Sequence, residues 1–217
     1  MINKLYIFTT ILILINCLNV KGADKQIVSV IIAPSSYIVI NGYTNISSFN
    51  CNYSGYYNDP INIEFTRQNN KIKIENAELS IPVDYIDCHN PLMNNDLREL
   101  LSTGDTHEIM INISDFYEKK IIPGKSGSYF AGHGSANINV SIAGVRNQYE
   151  VEFIDRKKGN EITIKSTLYL NLHDFGLTPP RIMFGIIELN NTVTINILLK
   201  LLIQSTQQIN KADIAAN

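Results

Sequence analysis

Residues 160–185 read NEITIKSTLYLNLHDFGLTPPRIMFG, and the first half of that stretch decides the fold. Ile162, Ile164, Ser166, Leu168, Leu170 and Leu172 share one parity, while Thr163, Lys165, Thr167, Tyr169, Asn171 and His173 take the other. A period of two is the pattern of an antiparallel strand with one buried face. At ~3.3 Å per residue, a strand from Ile162 to His173 spans about 35–40 Å, well beyond the usual five or six residues. Asp174-Phe175-Gly176 predicts its stop, and Pro179-Pro180 bars its continuation in a central ladder. So long an apolar face needs an equally long apolar surface to cover it.

The rest of the chain supplies such surfaces. Residues 27–33 are a β-prone run ended by Pro34, and residues 36–41 a second short strand before a bend at Gly42. Phe49, Cys51 and Tyr53 share a parity, as do Ile61, Ile63 and Phe65. Ile72 and Ile74 are followed by Ala77, Leu79, Ile81 and Val83, so the apolar parity flips near Glu75-Asn76. One face stays buried through such a flip only if an extra residue is inserted, which predicts a β-bulge there. Alternation returns at Ile109, Ile111 and Ile113, at Ala136, Ile138, Val140 and Ile142, at Tyr149, Val151 and Phe153, and at Val193, Ile195 and Ile197. Residues 123–134 read as a glycine-rich loop and residues 156–160 as a hairpin turn.

One helix is expected. Asn90 at the cap and Pro91 at the first helical position are start signals. Leu92, Met93, Leu97, Leu100 and Leu101 form its apolar stripe, and Gly104 ends it. Such a helix either plugs one end of a barrel or packs on the outside of the sheet. Eight or more strands with one apolar face each leave a sandwich or a barrel. Long strands joined by short turns favour the barrel: all-β, extended, antiparallel, up-and-down and lipocalin-like, with about eight strands and one short helix near one end.

Composition sets the bounds. At 217 residues and even composition, a single domain is the expectation. Lys4, the apolar run of residues 5–15 and Val20-Lys21-Gly22 read as a signal peptide over residues 1–22, leaving a barrel domain at 23–203 and a polar tail at 204–217. The destination is then the periplasm or the exterior. Lipoprotein anchoring at Cys17 is the weaker option, because Asn16 stands where a small residue belongs. Removing residues 1–22 takes away Lys4 and Lys21 and no acid, which leaves 16 basic against 20 acidic residues, a net −4. That balance, with no basic stripe, speaks against nucleic acid. Cys51 and Cys88 remain, an even count that in an exported protein invites a disulfide; the alternative is two buried free thiols. Closing that loop would stabilise the fold by about 4 kcal/mol in the chain-entropy model.

Order and spacing over residues 28–200 resemble the YceI-like family, exported β-barrels that bind polyisoprenoid lipids, and in particular its Bacteroidetes-type branch. The matching pieces begin with Gly42-Tyr43-Thr44-Asn45, Phe49-Asn50-Cys51, Ile81-Pro82-Val83, and Asp87-Cys88-His89-Asn90 with Met93. They continue with Asn95-Asp96, Leu100-Leu101, Ile142-Ala143-Gly144-Val145, Asp174-Phe175-Gly176, Pro179-Pro180 and Gly185. The chain departs from the pattern at Thr106-His107-Glu108, where the family often has proline after the residue matching His107; a local change of strand entry is expected there. The resemblance implies a lipocalin-like barrel with an apolar tunnel. It implies a polyisoprenoid or quinone-type lipid as ligand, no cofactor and no catalysis. The partners expected with it are that lipid and, transiently, a membrane, for a monomer or homodimer.

Inward-facing Ile111, Ile113, Ile138, Val140, Ile142, Phe153, Leu168, Leu170 and Leu172 are the candidate tunnel wall, with Phe175 as a plug at the barrel end. The same pattern also suits a solid core. The absence of tryptophan and the medium size of these side chains favour a narrow bore. Other chemistry finds little support. His89, His107, His133 and His173 show no ligand spacing. Gly124-Lys125-Ser126 lacks the earlier glycine of a phosphate loop, Lys119 standing there, though Lys125 could meet a head-group phosphate at the mouth. No GxSxG occurs, Asp84 and Asp87 read as turn and cap residues, and Ser166 alone interrupts the apolar face of the long strand. A structural or adhesive β-protein is the competing reading; it would expose aromatics such as Tyr56-Tyr57 and Tyr129-Phe130 instead of enclosing a cavity.

Overall fold

The computed structural model describes residues 25–53, 55, 59–102, 107–123, 129–179, 181–182 and 187–209. The signal-peptide reading, Cys17, Tyr56-Tyr57 and Lys125 lie outside them, as do the side chains of Tyr129 and Phe130. The strands are β1 (Lys25–Ile32), β2 (Tyr37–Tyr43), β3 (Ser48–Tyr53), β4 (Ile61–Gln68), β5 (Lys71–Pro82) and β6 (Ile86–Asp87). After the helix α1 (Pro91–Leu101) come β7 (Glu108–Pro123), β8 (Tyr129–Ile142), β9 (Val145–Lys158) and β10 (Glu161–Asn171). A two-residue pair, β11 (Arg181–Ile182) and β12 (Ile187–Glu188), precedes β13 (Thr192–Ile209).

Eight of these close on themselves in the order β1-β4-β5-β7-β8-β9-β10-β13, with β13 returning to β1. Every pairing is antiparallel. The expected eight-stranded barrel with one short helix is therefore present. It departs from strict up-and-down order where the chain leaves the ring: β2 pairs with the first half of β13, β3 with β2, and β6 with β3. β13 can serve β1 and β2 in turn because it is 18 residues long.

The parity flip in β5 is a bulge. Its register against β7 shifts between Lys73 and Ala77, the site read from Glu75-Asn76. Asn90 caps α1, its side-chain oxygen accepting the N–H groups of Leu92 and Met93, with Pro91 in the first turn. Leu101 is buried and Met93, Leu97 and Leu100 pack on the core, but Leu92 is 74% exposed and drops out of the stripe. The helix ends at Leu101 with Ser102 as its cap; Gly104 lies outside the described residues. At the departure near His107, the His107 carbonyl accepts the Val83 N–H at 2.9 Å and β7 starts at Glu108.

Three expectations need correction. β10 stops at Asn171, two residues short of His173, and Leu172–Phe175 form a 3-10 turn. The Asn171 side chain accepts the His173 N–H, and Gly176, at φ 70°, closes the turn in the left-handed region where glycine costs least. Residues 123–134 are not one long loop, because β7 reaches Pro123 and β8 begins at Tyr129. Gly134 is a strand residue kept small by its neighbours: a Cβ there would stand 2.7 Å from Phe153 Cζ and collide with the Tyr117 carbonyl. The polar segment from Gln204 is not free tail as far as Ile209, since Ser205 to Ile209 pair with Ser29 to Lys25 and cover the β1 edge.

Cys51 and Cys88 are bonded, and both are buried. The bridge ties β3 to the segment between β6 and α1. It sits within one contiguous core at the end of the barrel that carries α1 and the 3-10 turns. We refer to this as the helix end, and to the opposite end, where Asn69-Asn70 and Gly159-Asn160 turn the chain, as the hairpin end.

Candidate functional site

Strand pairing fixes which side chains face the bore. Val140, Ile138 and Ala136 on β8 and Leu168 and Leu170 on β10 are buried, so their parity faces inward. The candidate wall residues divide by position. Ile111, Ile138, Val140, Ile142, Leu168, Leu170, Leu172 and Phe175 are all buried in the helix-end core, and Ile113 packs against it. There the opposing walls meet. The cavity between Ile111, Val140, Ile142, Leu168 and Leu170 measures about 20 Å³. That is room for one water-sized sphere and not for a lipid chain.

Toward the hairpin end the same faces open. Val28 pairs with Ile63, Phe65 with Ile74, Ile72 with Phe116, and Ile164 with Leu199, all at inward parity. Each of these side chains is only half-buried. An inward residue of a closed barrel can meet solvent only if the bore beside it is not filled. Val30 and Ile32, also inward, are buried but stand outside the main core cluster. Phe116 and Phe153 meet edge to face with centroids 5.3 Å apart and form the floor between the open and packed halves. Of the candidate ligand residues only Phe153 reaches this floor.

The inner face at this end carries charge that the sequence reading missed. Arg67 donates to both Glu118 carboxylate oxygens, at 2.9 and 3.2 Å. Asp155 follows Phe153 by two positions and pairs with Gly132 and Ile164, which puts its carboxyl on the inner face. Gly132 leaves it space: a Cβ there would collide with the Asp155 carboxylate. Burial, and then the charge of Glu118, push the Asp155 carboxyl above the ordinary aspartate range. The alternation from Tyr149 through Phe153 was the signal that, carried one step further, places Asp155 inside.

The wall has a seam between β9 and β10. β9 and β10 pair from Lys158 and Glu161 only as far as Phe153 and Ser166. Beyond that point the Ser166 hydroxyl donates to the Glu152 carbonyl at 2.8 Å, a side-chain bond taking over from the ladder. At the far end Asn147 Nδ2 donates to the Asp174 carbonyl at 2.8 Å, and Tyr149 stacks on Phe175. Between these ties lies a cleft of about 640 Å³, within the usual 300–1,000 Å³ of small-molecule sites. Val151, Phe153, Leu168 and Ile197 line it from inside, and His133, Glu150 and Lys165 stand among its polar residues. Leu168 lines both the cleft and the small inner cavity.

Among the described residues no cluster of three or more His, Cys, Asp or Glu side chains could hold a metal ion. His133 approaches Glu152 at 3.7 Å, and His89 bonds Asn52 at 2.8 Å near Asp87. These are pairs on the barrel surface.

No family model matches the sequence, and no curated protein matches it. Solved structures do match in fold. A polyisoprenoid-binding domain from Saccharophagus degradans, implicated in plant cell wall breakdown, aligns with a TM-score of 0.58 at 9% identity, covering 81% of this chain and 99% of its own. BcnA from Burkholderia cenocepacia aligns at 0.51 and 12% identity, covering 76% of this chain and 95% of its own. A Campylobacter jejuni YceI protein aligns at 0.38 and 12% identity, over 67% and 74%. The chain thus shares the fold of the first two of these structures, a likeness that does not distinguish the Bacteroidetes-type branch of the sequence resemblance.

Proposed function

We propose that this chain is an exported, non-catalytic protein that takes up an apolar, isoprenoid-type lipid along the inner face of its barrel, as a carrier or a store. The observation that carries this reading is the half-buried apolar wall at the hairpin end of a closed barrel. Apolar surface left wet on an inner wall is a standing gain for a ligand that covers it, about 25 cal/mol per Å² buried. Such a gain depends on area and little on the pattern of the chain, which suits a repeating hydrocarbon. The likeness to a polyisoprenoid-binding domain supports the ligand class. A polyisoprenoid or quinone-type lipid is the ligand on this reading. The bonded cysteine pair supports an oxidising destination, periplasmic or secreted. Loading would bring the open end into transient contact with a membrane, the protein acting as a monomer or homodimer.

The site differs from the one read in the sequence. We place the lipid chain above the Phe116–Phe153 floor, with the helix-end residues as supporting core. Native mass spectrometry of the gently purified protein should show a bound prenyl lipid. Recovery of empty protein that also takes up no added prenyl lipid would remove the proposal. The packed helix end, with its void of about 20 Å³, favours one other reading: a structural or adhesive β-protein with a filled core. That reading predicts the empty outcome.

A further inference from the structure

The ligand's polar end can be read from Asp155, a half-buried carboxyl of the open bore that no side chain partners among the described residues. Arg67, Glu118 and Asp155 face the bore at the hairpin end, and Lys157, at the same parity as Asp155, stands exposed on its rim. Arg67 and Glu118 satisfy each other through two hydrogen bonds. Asp155 has no such complement: among the described residues no side chain donates to it, and its carboxyl bonds only its own backbone. The residues facing it across the ladders are Gly132 and Ile164, which offer no donor from their side chains. A half-buried carboxylate in an apolar bore, beside a second carboxylate, is short of hydrogen-bond donors.

We propose that Asp155 selects the end group of the lipid: it accepts a hydrogen bond from a hydroxyl-bearing isoprenoid and excludes an anionic one. The inference rests on the lipid-binding reading above. A hydroxyl donates into the carboxylate and restores the partner that burial has removed, a charge-assisted bond of the stronger kind. A phosphate adds negative charge beside Asp155 and Glu118, while the Arg67 guanidinium is already held by Glu118 and the Lys157 ammonium stands out in solvent at the rim. The ligand class is therefore a neutral polyprenyl alcohol and not a polyprenyl phosphate. Gly132 belongs to the same device, since any side chain there would displace the carboxyl.

The test uses three probes of one chain length: a prenyl alcohol, the matching prenyl phosphate and the parent hydrocarbon. Each is titrated into the full mature protein and into Asp155→Asn, which keeps shape and removes charge. The wild type should prefer alcohol over phosphate. In Asp155→Asn, alcohol binding should weaken about tenfold relative to hydrocarbon, and phosphate binding should strengthen. A merely structural role for Asp155 would move all three probes alike, and that result overturns the inference, as does no change in any. A wild type that prefers the phosphate overturns it too. If the wild type binds hydrocarbon but the variant shows no reordering, lipid binding stands and only the end-group assignment falls. If the wild type binds none of the probes, both fall.

Discussion

Asp155 and Asp87 are both aspartates of a β-rich chain, one on the inner face and one exposed, and the fold moves them in opposite directions. Burial, then the Glu118 charge, raises Asp155, whereas the Asn94 side chain, then the His89 N–H, lowers Asp87. A raised carboxyl binds its proton more tightly in the folded than in the unfolded chain. Its contribution is therefore fully present in acid and is lost as pH rises through the raised value. Asp155 thus weakens the fold at neutral pH; Glu118 and Arg67, with Lys157 at the rim, are the charged groups on the same inner face. We predict that Asp155→Asn raises the urea midpoint near pH 7 and that the gain disappears by about pH 3, below the ordinary carboxylate range. Asp87 runs the other way, its hydrogen bonds stabilising the fold above the ordinary range and fading as pH falls through the lowered value. Asp87→Asn should lower the midpoint at neutral pH and not in acid; a parallel response of the two variants would mean that neither shift arises from its local surroundings.

At the scale of the element, local signals written in sequence order were legible and those set by distant strands were not. The cap of α1 needs only Asn90 and the amides that follow it, and it forms as read. Asn90→Ala should cost about 1 kcal/mol of stability, measured by chemical denaturation. The β5 bulge was equally visible, because a parity flip in an apolar strand has few other outcomes. The glycines of β8 misled because Gly132 and Gly134 look like loop formers. They are strand residues made small by Asp155 and Phe153 on β9, partners about twenty residues away that no local pattern reveals. Likewise Gln204 to Gln208 are polar enough to read as tail, and only the unpaired edge of β1 calls them into the sheet. The disulfide lies between these cases: the even count suggested it, and the placement of β3 beside β6 made it. Replacing Cys51 and Cys88 with alanine should cost up to about 4 kcal/mol relative to the oxidised wild type and much less relative to the reduced one, which separates the crosslink from side-chain packing.

For the whole molecule, the decisive property is that one barrel has two interiors. Inward residues at the helix end are packed to a void of about 20 Å³, while inward residues at the hairpin end stay half-buried. Alternation in the sequence marks both ends alike, since Leu170 and Leu199 are each apolar residues at inward parity. What separates them is the covering: the 3-10 turns, α1 and the disulfide segment close one end, while among the described residues only the short turns at Asn69-Asn70 and Gly159-Asn160 stand at the other. Stability and binding should therefore respond to substitution in different places. Leu170→Ala removes side-chain volume where every neighbour is already in contact, and should cost about 2–5 kcal/mol. Prenyl-lipid uptake by the protein that remains folded should be unchanged. Leu199→Trp adds volume where the bore is open, so it should leave the denaturation midpoint nearly unmoved yet reduce uptake severalfold by occupying the space of the chain. A filled barrel makes the contrary prediction, because an indole at Leu199 would then have nowhere to go and the fold itself would suffer. The pair of variants thus separates a container from a solid cylinder, by asking which end tolerates a larger side chain.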